Sequence, residues 1–151
     1  MPVDLKHPAN AALLRHLKRE FPTRIEQQSP DEVRQPYLSL GTHPEIVERL
    51  WDQLAVDLPE KCAWVLYGRP VLVRPSTGIV FAWATGHVYA LRLGPDAHNA
   101  ALRAGAGRLH TFSDGSTLDL AGFGPEWLFG MWFRDEPAWC RAAWDAARML
   151  N

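Results

Sequence analysis

Three clusters of turn residues, at 68–70, 75–78 and 85–86, constrain this chain more than any other feature of it. They separate Cys62–Tyr67, Val71–Arg74, Gly78–Ala84 and His87–Leu93, four short segments rich in β-branched and aromatic residues. Gaps of this length cannot hold a crossover helix. The segments must fold back on one another as a four-strand antiparallel meander.

The faces of that meander follow from alternation. In the third segment Ile79, Phe81 and Trp83 are expected on one face, with Val80, Ala82 and Ala84 on the other. In the fourth, His87, Tyr89, Leu91 and Leu93 oppose Val88, Ala90 and Arg92. Neither face is polar enough to sit in water. Two readings follow: helices cover both sides, or one face is a binding surface. On the second reading Tyr67, Trp83 and Tyr89, with the nearby Arg69, Arg74 and Arg92, are the candidate contacts. Aromatic and Arg groups bury much area with few rotors and many donors.

The helical signals flank the meander. Leu13, Leu14, Leu17 and Phe21 recur at helical spacing within residues 8–21, and Pro22 ends that helix. Residues 22–40 are polar and punctuated by Pro22, Pro30 and Pro36, which reads as an extended surface connector anchored by Tyr37. Thr42-His43-Pro44-Glu45 has the form of a capping box with Thr42 as N-cap. It opens a helix carrying Ile46, Val47, Leu50, Trp51, Leu54 and Leu58 on one stripe, stopped by Pro59.

After the meander, Pro95–Ala104 reads as a helix. Arg108–Phe112 and Thr117–Leu120 flank Asp114-Gly115 as a hairpin. A last helix begins at the N-cap Asp135 and places Trp139, Ala143, Ala147 and Leu150 on one face, with Cys140 and Trp144 beside it. Between hairpin and helix runs a very aromatic stretch, 123–133. It reads as an edge strand or an irregular loop, and as a core plug or a partner-binding ridge through Trp127 and Trp132.

The expected architecture is therefore a single α+β domain over residues 1–151. A helical part, 1–60, contains the connector 22–40. A sheet core and C-terminal helix occupy 61–151. About four helices accompany the sheet: two N-terminal, one between strands and one C-terminal.

This order of elements resembles the N-terminal domain of TfoX-like competence regulators over residues 64–150. The resemblance lies in Tyr67-Gly68, Gly78 with Phe81-Ala82, Val88-Tyr89-Ala90-Leu91-Arg92, and Pro95-Asp96 opening a helix. Where that family has a glycine pair near the first strand, this chain has Gly68 followed by Arg69-Pro70, and the first 60 residues have no counterpart. The resemblance implies a fold and carries over no active site.

Charge and motifs narrow the function classes. With 16 basic against 17 acidic residues and a pI near 6.6, the chain lacks the basic excess of a general nucleic-acid or anionic-membrane binder. No apolar run reaches signal-peptide or membrane-span length, so a cytoplasmic location is expected. Cys62 and Cys140 each stand inside an apolar segment and read as buried thiols.

The six histidines lack the i, i+4 pairing of a helical metal site. A spatial cluster of His87 and His110 with Asp114 is the one catalytic constellation left open. No P-loop, Rossmann fingerprint or nucleophile elbow is present, and no cofactor or metal is expected. The leading expectation is a non-enzymatic interaction domain, binding a protein partner or itself through an aromatic/Arg sheet surface. The alternative is a small-molecule binder or enzyme that receives an anionic ligand at Arg69, Arg74 or Arg92.

Overall fold

A computed structural model describes residues 2–103, 127–130 and 136–148. Its centre is a six-stranded, wholly antiparallel sheet in strictly sequential order. The strands are β1 (Gln27–Gln28), β2 (Ala63–Leu66), β3 (Arg69–Arg74), β4 (Ile79–Thr85), β5 (Val88–Arg92) and β6 (Trp127–Gly130). The four expected strands lie where the turns placed them, within two residues. Two more strands extend the sheet at its edges. The connector supplies β1, and the aromatic stretch supplies β6, which pairs Tyr89 with Gly130 through Arg92 with Trp127.

The turns explain themselves locally. Tyr67 and Gly68 both sit at positive φ, 47° and 73°, which is the geometry a two-residue hairpin with right-handed twist requires. Tyr67 is thus a turn residue and not the end of a strand. Gly78, at φ 74°, packs against Asp4, and an added Cβ there would lie 2.9 Å from the Asp4 backbone nitrogen.

Helices lie on both faces. On one side are the N-terminal segment and α1 (Ala11–Glu20), entered through a 3₁₀ turn at Pro8–Asn10. Leu13, Leu14 and Leu17 bury there against Leu66, Val71, Val73, Val80, Trp83 and Ala90. The buried Asn10 fixes this layer: its side-chain amide donates to the carbonyls of Asp4 and Gly78 and accepts from the Val80 amide at 3.0 Å.

On the other side are α2 (Pro36–Ser39), α3 (Pro44–Glu48) continuing as a π-helix over Arg49–Leu54, α4 (Pro95–Arg103) and α5 (Glu136–Ala146). Ile46, Val47, Leu50, Trp51 and Leu54 pack there with Leu72, Phe81, Leu91, Ala143 and Trp144. The helical stripe ends at Leu54, one turn before Leu58, and it is capped differently from the sequence pattern. His43 is the N-cap, its Nδ1 accepting from the Glu45 amide at 3.2 Å. The Thr42 hydroxyl instead donates to the carbonyls of Leu40 and Ala84.

The alternation in β4 is broken. The register shifts between Leu72, opposite Ala82, and Val73, opposite Val80, so Phe81 is an extra residue in a bulge. Phe81 and Ile79 consequently join the α3 side together with Ala82 and Ala84, while Val80 and Trp83 face α1. The expected grouping of Phe81 with Trp83 is therefore wrong, and that of Tyr89 with Leu91 holds. The expected hairpin, 108–120, lies outside the described residues.

Candidate functional site

The residues proposed as one binding surface are divided between the two layers. Tyr67, Trp83 and Trp127 belong to the α1 side, 5%, 1% and 5% exposed. Tyr89, 1% exposed, belongs to the other side. The open aromatic sheet face is thus replaced by two covered faces. Trp132 lies outside the described residues, as do His110 and Asp114.

Two of the arginines serve the fold. Arg74 stacks 3.6 Å above the Trp144 ring, donates to the Trp144 carbonyl at 2.9 Å and lies 3.8 Å from Glu60. Arg92 lies over Trp127 at 5.8 Å and donates to the Ala9 carbonyl, tying β5 to the helix layer opposite.

Arg69 is different. Its guanidinium stacks 3.7 Å over Phe21, at the end of α1. Nε donates to the Thr85 hydroxyl at 3.2 Å, and Nη1 to the carbonyls of Leu40 and Gly68 at 3.3 and 3.1 Å. All these partners are neutral. Burial pulls its pKa down. Gly41, at φ 63°, makes the stack possible, because a Cβ there would stand 2.5 Å from the guanidinium carbon.

The same end of the sheet carries two histidines. The Gly41–His43 segment joins the β4–β5 turn by a parallel bridge at Thr42 and Gly86. The Gly86 amide donates to Gly41 and the His43 amide to Gly86, at 3.0 and 2.7 Å. His43 and His87 thereby lie side by side with ring centroids 5.0 Å apart and planes tilted by 38°, both exposed. Nothing in the sequence pattern linked them, because the bridge joins segments more than forty residues apart.

A third cluster is sealed in the core. The Tyr89 hydroxyl donates to Glu136, whose other carboxylate oxygen lies 3.7 Å from Arg49 on the π-helix. Burial is the main cause of a raised Glu136 pKa, offset in part by the Tyr89 hydrogen bond and by Arg49. Burial likewise pushes the Tyr89 phenol up, and the hydrogen bond to Glu136 adds to the shift. Cys62 and Cys140, buried in the same layer, are both pushed up to about 12 by desolvation. At neutral pH they are inert thiols.

One groove, of about 530 Å³, runs between the Pro30 turn, the end of the π-helix and the 58–63 loop. Trp51, Ala55 and Leu58 contribute its apolar lining, while Asp31, Asp52 and Lys61 contribute charge. Val56 also lines it and is 67% exposed. Tyr37 packs edge-on against Trp51 at 5.9 Å and donates to Asp52 at 2.7 Å, which places α2, with the 68% exposed Leu38, beside the groove.

Among the described residues, no group of three or more His, Cys, Asp or Glu side chains is placed to hold a metal ion. No helix among them is long and apolar enough to cross a membrane. No protein-family model, curated protein or solved structure matches the chain.

Proposed function

We propose that this chain is a non-enzymatic interaction domain that binds a protein partner along the groove between the Pro30 turn and the end of the π-helix. The observation that carries this reading is the exposure of Val56 and Leu38, 67% and 68%, beside a groove of about 530 Å³. Apolar groups grouped around a concavity and rimmed by charge are what protein contacts use, whereas scattered apolar residues need no explanation. The reading keeps the interaction role expected from the sequence and moves it from the sheet face to the helix layer. Arg74 and Arg92, committed to internal carbonyls and tryptophan rings, give little support to an anion pocket on the sheet itself.

A photo-crosslinking side chain at position 56 tests this, with one at the exposed Arg15 on α1 as control. Protein adducts are expected from position 56, absent from position 15, and lost when Leu38→Asp is added. Equal adducts at both positions, or none at 56, would overturn the reading.

A further inference from the structure

The geometry points to a binding site for a small oxyanion, a phosphate or carboxylate group, at the end of the sheet that carries Arg69, with His43 and His87 each two residues along the chain from groups that Arg69 touches. Arg69 is a half-buried cation whose hydrogen bonds all go to neutral oxygens, and no carboxylate stands within ion-pair distance of it among the described residues. A guanidinium withdrawn from water normally recovers its solvation from an anion. Here the chain supplies a stack on Phe21 and three neutral acceptors, and Nη2 makes no hydrogen bond among the described residues. That nitrogen carries two N–H donors on the plane that grips a phosphate or carboxylate.

The surroundings are built to hold this donor still. A Cβ at Gly41 would stand 2.5 Å from the guanidinium and push it out of its present place. Thr85 and Leu40 fix two of its nitrogens from separate elements. The two histidines flank these anchors. His43 follows Gly41 by two residues, and His87 follows Thr85 by two. His43 spends Nδ1 accepting from the Glu45 amide, so in its neutral form the ring proton sits on Nε2 and donates outward. Arg69, His43 and His87 thus gather N–H donors on one end of the molecule. Of the acidic side chains in the helix and loop that follow His43, Asp52 accepts from Tyr37 and Glu60 lies beside Arg74.

This site is separate from the groove that carries the interaction role, so each stands or falls alone. The probe is inorganic phosphate, with acetate as the carboxylate arm, titrated into the full chain while arginine Nε–H and histidine ring signals are followed by NMR. Saturable shifts are expected at Arg69, His43 and His87 and not at the exposed Arg15 or Arg24. Arg69→Lys, which loses the planar fork, should weaken binding by about tenfold or more. Because that change also removes the stack on Phe21, His87→Ala, at an exposed turn, serves as the second variant and should weaken binding several-fold with an unchanged fold. Equal shifts at every exposed cation, or unaltered affinity in a folded His87→Ala and a folded Arg69→Lys, would overturn the site. Saturation by phosphate alone, or by acetate alone, identifies which oxyanion it takes.

Discussion

Glu136 has 5% of its surface in water and sits at the start of α5 with Tyr89 and Arg49 for company. Because burial raises its pKa above the ordinary 4.5, the folded chain keeps a proton that the unfolded chain has already released across the interval between the two values. Folded stability therefore falls as pH climbs from 4.5 through the raised value. Glu136→Gln removes that titration while leaving an acceptor for the Tyr89 hydroxyl. Urea midpoints measured at pH 4.5 and pH 8 should move in the variant's favour at the higher pH. A difference between the two proteins that stays constant with pH would refute the assignment.

At this scale little was legible beforehand. Thr42 fits a capping box by spacing, yet its hydroxyl is drawn to the Leu40 and Ala84 carbonyls, leaving His43 to cap. Arg69 was a candidate ligand residue from its type alone. Its lack of a carboxylate partner depends on Phe21, Leu40 and Thr85, which meet only in the folded chain.

Elements were far more readable than residues. Turn chemistry located β2 through β5 because glycine at positive φ is a local requirement, met at Gly68, Gly78 and Gly86. Of the two outer strands, β6 lies within the stretch 123–133 that read as an edge strand or an irregular loop, whereas β1 escaped notice for a different reason. β1 has two residues and no periodicity, and it is held by the Gln27 amide, which bonds the Val3 backbone and the Trp64 indole. The bulge at Phe81 escaped because alternation is the only facing rule a sequence offers, and one extra residue inverts it.

The bulge has an energetic signature. Phe81 and Trp83, at 0% and 1% exposure, serve opposite cores. Truncation of either to Ala should cost about 3–5 kcal/mol by chemical denaturation. Had one sheet face been open, one of the two would cost under about 0.5 kcal/mol, as surface changes do.

For the molecule as a whole, covered faces on both sides make the sheet its most protected part. Cys62, on the loop into β2, and Cys140, on α5, lie in one core layer at 2% and 0% exposure. With both thiols raised to about 12, labelling by a disulfide reagent at pH 8 should be slow and should modify the two at one common rate, that of global opening. Rapid reaction at one position would reveal a region that opens by itself.

The sequential strand order carries a last consequence. The four inner strands occupy the unbroken stretch 63–92, so the middle of the sheet assembles through three tight reversals and little loop-closure entropy. The rims arrive from farther away: β1 precedes that stretch by a long excursion through α2 and α3, and β6 follows it beyond α4. A chain emerging from synthesis can zip its centre before either border strand has docked, and for that interval it exposes two unpaired edges on which a neighbouring nascent copy could template.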